Sequence, residues 1–368
     1  MKKVLILSLI VLGQSIFAQQ LALVKEKAKI GYIDKSGNYV IEPAYETARS
    51  FSDGLAAVKI KDMWGFVGKD GKMAIEPSFT KARDFNDGLC AVERDGIWFY
   101  INKNGEKLNM PYSDKLYDFN NGLALMKVSN KIGAFDTGGK VVIPAEYDVI
   151  KPFQNGYARI SQKGLWGIID TAGKVIVPVE YNDIGEYKNG ATWAQKGKAY
   201  GIIDGSIFSI AEGADKIWDF GNQPITYARR NGKIGFVDKA GKWAIEPKFD
   251  KARAFNQNLA PAYSGGKWGY IDMKGNFVVE PAYNDAEVFS NDNLAPVKGK
   301  NWGFIDTSGK LVIPMDYDIS VSFGFNEKNK GFNEGVSRVK KSGKWGFIDK
   351  TGSLVGNKWF YNAELFQN

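Results

Sequence analysis

The sequence predicts an all-β repeat protein, and three observations carry that prediction. A glycine after a large residue recurs at Gly31, Gly65, Gly133, Gly167, Gly201, Gly235, Gly269 and Gly303, always in register with a step of 34 residues. Trp98-Phe99 holds the register in the one disguised copy, and Gly346 follows Gly303 after 43 residues, one unit plus an insertion of nine. Ten units result. An aspartate lies three residues past most of these glycines and a second glycine three residues further, as in Asp272 and Gly275 or Asp349 and Gly352. Finally, 42 glycines and 14% aromatic residues suit many short strands joined by tight turns.

Each part of the unit follows from local chemistry. The slot around the first glycine, as in Trp345-Gly346-Phe347-Ile348, is short, aromatic and β-branched, and reads as a strand. The aspartate next to it can accept hydrogen bonds from the backbone of its own turn, and the second glycine takes the left-handed conformation that closes a bulged hairpin. An aliphatic stretch follows and usually ends in proline, as in Val40-Ile41-Glu42-Pro43, since proline has no N–H for a ladder. An arm then carries an aromatic (Tyr45, Phe79, Tyr147) and, six residues on, a phenylalanine (Phe51, Phe85, Phe153) toward the next unit. A turn at Gly54, Gly88, Gly122 or Gly156 leads into a Leu-Ala-x-Val stretch, and a short polar link returns to the next slot.

Each unit therefore reads as a three-stranded antiparallel meander. Thr80–Arg83 and Asp285–Val288 have room for a single helical turn in the arm. The expected arrangement is an open curved or superhelical array, because the end units fade as capping units would. A closed β-propeller, or two propellers of five blades, is the alternative.

Residues 1–18 read as a secretory signal peptide. Lys2 and Lys3 precede an apolar run from Val4 to Leu12, and Ile16-Phe17-Ala18 resembles a cleavage site before Gln19. The run is too short to span a bilayer, so no transmembrane segment is expected. The repeat array then covers 19–368, with the insertion near 320–334 and a capping end at 353–368. Export to the periplasm or the outside is the expected localisation. The net charge is +8, with lysines spread through every unit. A solvated surface accounts for them, and attraction to an anionic polymer or membrane face is the alternative.

The inventory of reactive groups is thin. The chain has no histidine, which removes the commonest general base and metal ligand. Its one cysteine, Cys90, sits in the apolar stretch Leu89-Cys90-Ala91-Val92 and reads as a buried hydrophobe. No phosphate-binding glycine pattern follows a strand. No catalytic residue, cofactor or metal site is expected, although a carboxylate pair acting on sugars is a weaker alternative. The repeated turn aspartates offer too few oxygens for calcium and are assigned to the turns.

The motif resembles the WG-repeat (KWG-repeat) family, whose signature is approximately K-W-G-F-I-D-x-x-G-x-x-V-I-P-x-x-Y followed by a G-L-A-x-V strand. Lys267-Trp268-Gly269-Tyr270-Ile271-Asp272 and Lys344 to Asp349 match it. Ile30, Ile132, Tyr200 and Ile234 depart from it at the tryptophan, Gly68 and Asn102 at the aspartate, and the unit at Gly201 is the weakest. The resemblance implies a β-rich binding or scaffolding array and no catalysis.

The expected function is therefore an exported, non-catalytic scaffold that binds an envelope or extracellular protein. A polysaccharide or peptidoglycan binder with exposed aromatics is the alternative, and nucleic acid is not an expected partner. Six tryptophans occupy the slot and read as packing in the seams between units. The out-of-phase Trp193 and Trp218 are candidate binding residues. So are Phe323, Phe325, Lys328, Lys330 and Phe332 in and beside the insertion, which would form an aromatic loop with a charged tip.

Overall fold

A computed structural model describes residues 19–318 and 331–368. The described chain forms ten antiparallel sheets and, apart from a three-residue 3₁₀ turn at Val355–Asn357, no helix. In sheet two the strands are Thr47–Ala48, Leu55–Ile60, Met63–Gly68 and Met73–Phe79, in that spatial order. Eight sheets are four-stranded in this way; sheet three has three strands and sheet ten two.

The sequence led to three strands per unit, and the fourth is the connecting arm. Its extended backbone runs along the Leu-Ala-x-Val strand of the next unit, pairing Ala48 with Val58 and Ser52 with Leu55. That strand would otherwise expose a row of unpaired N–H and C=O groups. The same pairing puts Lys81–Ala82 and Asp285–Ala286 in strands, where the sequence left room for a helical turn.

The turn chemistry is as the spacing implies. Asp272 Oδ1 accepts the N–H groups of Lys274 and Asn276 at 2.9 Å, and Gly275 has φ +82°. The equivalent bonds recur at Asp34, Asp136, Asp170, Asp238, Asp306 and Asp349. The Asn276 N–H holds the Asp272 carboxyl below its ordinary pKa, and the hydroxyls of Ser308 and Thr351 do the same for Asp306 and Asp349. The slot glycine has a different cause. A Cβ on Gly65 would lie 2.6 Å from the Ile75 carbonyl oxygen, because the outer strand crosses there at a register shift. In unit ten the side chain of Trp359 takes that place beside Gly346.

The core is divided among the seams between sheets. Phe66 and Ile75 of sheet two pack with Phe85, Cys90 and Val92 of sheet three. Phe347 and Phe360 of sheet ten pack in the same way with Val24, Ile33 and Phe366 of sheet one. Ten such clusters occur, one per seam, whereas an open stack of ten units would have one seam fewer. The array is therefore a closed ring, the propeller-type alternative, and neither an open stack nor two five-membered rings.

The ring closes through the segment that was expected to be a cap. Asn362–Ala363 pairs with Val24 and Lys25 as the missing first strand of sheet one, and Gln367 bridges Leu21. The last residues of unit ten thus belong to the first sheet, as each earlier arm belongs to the sheet after its own. Phe366, twenty residues after Gly346, holds the repeat position of Phe51 and Phe85.

Candidate functional site: the inner wall of the ring

The arms build the inner wall. Each carries one large aromatic, from Phe51 and Phe85 through Tyr187 and Phe220 to Phe332 and Phe366, and all ten positions are buried. The residues flanking this aromatic line two cavities. One, of about 630 Å³, is shared by sheets one to five and lined by Ser50, Ser52, Asp84, Asn86, Asp118, Asn120 and Gln367, among others. The second, of about 590 Å³, is shared by sheets seven to ten, with Trp218, Asp219, Tyr227, Asn256, Glu287 and Asp292 in its wall. A cavity touched by five consecutive members of a ten-membered ring lies on the ring's inner side.

The two linings contain acids and amides and no lysine or arginine, although the chain is basic overall. The acids are held by side chains outside the lining. Arg49 lies 3.3 Å from Asp84, Arg83 3.1 Å from Asp118, Arg253 2.7 Å from Glu287 and Lys350 2.7 Å from Asp292. Asp219 accepts the Trp193 indole N–H at 2.8 Å and the Glu186 N–H at 2.9 Å. Asp84 Oδ1 is buried without a hydrogen-bond partner, and burial raises this carboxyl's pKa against the pull of Arg49. Such a wall accepts hydrogen-bond donors and positive charge. Among the described residues, no group of three or more His, Cys, Asp or Glu side chains is placed to hold a metal ion.

The slot tryptophans pack in the seams. Trp268 and Trp302 are 7% and 6% exposed, and Trp64, Trp98, Trp166 and Trp345 are half-buried in their seams. Cations cover them: Arg253 stands 4.8 Å from the Trp268 ring, Arg83 5.0 Å from Trp98 and Arg338 4.7 Å from Trp345. Trp193 and Trp218, the out-of-phase candidates for a binding role, are half-buried too. They pack in the seams of units six and seven, whose slots hold Tyr200 and Ile234 in place of tryptophan. In these two seams a tryptophan from another position of the unit takes up that space. Trp218 also stacks on Tyr227 at 4.7 Å, and so reaches the second cavity from its seam.

Phe332 is a core residue, 2% exposed and 4.9 Å from Phe304. The insertion displaces it along the sequence but not from its place in the ring. Phe323, Phe325, Lys328 and Lys330 lie outside the described residues. Cys90 is buried, which pushes its thiol pKa well up. The sequence reading missed the axial polar residues. Their one signal was phase, a polar residue repeatedly next to the arm phenylalanine, as in Asp84 and Asn86 around Phe85 or Asp118 and Asn120 around Phe119.

The fold defines a class of protein, a closed ring of β-repeats. The model of the WG-containing repeat family matches nine tandem segments between residues 30 and 345, and the chain belongs to that family. No curated protein matches the chain. Among solved structures, the chain is similar to one described as a eukaryotic initiation factor, at 14% identity and a TM-score of 0.47, over 95% of this chain and 98% of that one. It is also similar to the dihydro-heme d1 dehydrogenase NirN in complex with DHE, at 13% identity and a TM-score of 0.35, over 80% and 73%.

Proposed function

We propose that this protein is an exported, non-catalytic scaffold that holds a segment of a partner protein against the inner wall of its ring. The observation that carries the reading is the pair of cavities built from one repeat position in nine of the ten sheets. Their acids are engaged by arginine, lysine or N–H groups, which favours a wall over a pair of groups working as acid and base. The acids and amides favour a partner segment rich in lysine, arginine or other donors. Export is supported by the charged, apolar start of the chain, and no described helix is long and apolar enough to cross a membrane. The sugar-binding alternative rests on exposed aromatics, and the burial of the slot tryptophans beneath cations favours a protein partner over it.

A photo-crosslinking amino acid at Asn120 or Asn222, compared with one at Val175 on an outer strand, tests the reading in the producing cell. A discrete protein adduct from the two axial positions alone is expected. The same adducts at all three positions, or none, would count against it.

A further inference from the structure

The ring sorts charge in a way that the linear sequence hides. Every second hairpin, between the Leu-Ala-x-Val strand and the slot strand, lies at one end of its sheet, and every Asp-x-x-Gly turn lies at the other, because the slot strand runs between them. In five-residue windows, Lys25–Lys29 through Lys340–Lys344, the ten second hairpins hold twenty lysines and arginines and four acids. Windows of the same length over the ten Asp-x-x-Gly turns, 34–38 through 349–353, hold eleven bases and ten acids. Among the described residues, eight of the twenty bases pair with a carboxylate, Lys29 with Glu46 and Lys131 with Asp148 among them, and the windows keep an excess of bases.

The basic end also bears apolar side chains. Ile97, at 64% exposure, stands in a second hairpin beside Arg94, and Ile60 and Leu165 are exposed in two others. Tyr112 and Tyr361, 73% and 58% exposed, sit on connectors at this same end. The other seven exposed large hydrophobics of the described residues lie along the outer strands.

We propose that this end of the ring is a docking face for an anionic lipid surface. Ten hairpins at one end of a ring meet a flat layer of headgroups together. Lysine attracts anionic lipid over a Debye length. Isoleucine and tyrosine side chains gain by entering the headgroup boundary, and a soluble polyanion has no apolar layer to receive them.

The ten sheets and ten seams lie within residues 19–368, so that stretch is the protein to test. It is floated with vesicles of phosphatidylcholine alone and of phosphatidylcholine mixed with phosphatidylglycerol. Binding to the mixed vesicles alone, weakened by salt, is expected. Lys198→Glu, Lys300→Glu and Lys344→Glu together should lower it roughly a hundredfold. Lys140→Glu, Lys174→Glu and Lys310→Glu, at the other end, should leave it unchanged. Ile97→Ser should weaken vesicle binding and leave retention on soluble dextran sulfate as it was. Equal loss in both lysine sets, binding to neutral vesicles, or retention by dextran sulfate without any vesicle binding would each overturn the proposal.

Discussion

Sheets one and two are the same object assembled in two ways. In sheet two the first and second strands are joined by the Asp53-Gly54 hairpin, whose residues both have positive φ, the two-residue turn that suits strand twist. In sheet one the second strand begins at Ala22 and the first arrives from residues 362–363. The register is identical: Val24 meets Ala363 and Lys25 meets Asn362, as Val58 meets Ala48 and Lys59 meets Thr47. Phe366 of sheet one packs 4.7 Å from Phe347, as Phe51 of sheet two packs 4.8 Å from Tyr32. Gly54 donates to the Asn368 carbonyl at 3.3 Å across one first hairpin, and Gly122 to Asp87 at 2.8 Å across another. The first strand is therefore placed by its seam. The hairpin merely raises the local concentration of the two strands, an entropic term that varies slowly with loop length.

The largest effect should come from removing residues 361–368. Sheet one loses a strand and Phe347 loses its partner; Phe366 alone is worth about 3–5 kcal/mol by analogy with other buried phenylalanines. Urea unfolding should show a loss beyond that of Phe85→Ala, with hydrogen exchange released first at Leu21–Val24. A loss equal to that of Phe85→Ala would mean that the joint in sheet one is no weaker than a covalent hairpin. The converse experiment joins residue 368 to residue 19 and opens the chain between Asp53 and Gly54. That permuted protein should fold, with its early exchange moved to sheet two.

Away from the joint the two sheets should respond alike. A Cβ on Gly31 or on Gly65 meets a carbonyl oxygen at 2.6 Å, so Gly31→Ala and Gly65→Ala should each cost about 1–3 kcal/mol. Unequal losses would show that sheet one is looser throughout.

A smaller effect concerns the tyrosines that reach from one sheet to the next. Tyr32 donates to the Arg49 carbonyl at 2.7 Å and Tyr270 to that of Glu287 at 2.8 Å; Tyr100 makes the same bond to Tyr117. Burial raises all three pKa values, that of Tyr100 to about 12. Their folded values stand above the ordinary tyrosine value of about 10, so this contribution to stability is complete below about pH 10 and disappears as pH rises through the folded values. Melting temperature should fall at alkaline pH, and Tyr→Phe at the three positions should flatten that fall while costing about 1 kcal/mol per bond at neutral pH.

The smallest effect is expected at the salt bridges between adjacent sheets. Lys35 pairs with Glu334 across the seam between sheets ten and one, as Lys103 pairs with Asp53 at 2.8 Å between sheets two and three. Both are partly exposed, and Lys35→Ala and Lys103→Ala should each change stability by less than about 1 kcal/mol. A larger loss for Lys35 would show that this pair helps to hold the ring shut.

Much was legible from single units. The turn aspartates, the slot glycines and the strand ends follow from bonds and clashes within a few residues or between adjacent strands, and ten repetitions made them plain. The axial wall was less so. Asp84 and Asn86 read as ordinary polar residues beside a phenylalanine, and nothing local says that they face the same space as Ser52 and Gln367. Trp193 and Trp218 read as departures from the pattern. That they occupy seams left open by Tyr200 and Ile234 depends on which strand of one sheet faces which strand of the next.

By itself, then, the sequence determined the unit: its strands, its turns and the kind of residue each needs, because those depend on backbone conformation and nearest neighbours. Only the tertiary structure decided that ten units close on themselves, that residues 362–367 belong to the first sheet, and that lysines scattered along the chain gather at one end of the ring. The physical reason is the same for all three. Closure depends on the small rotation between one sheet and the next, repeated ten times, and that angle is a property of the packed seam rather than of any segment of the chain.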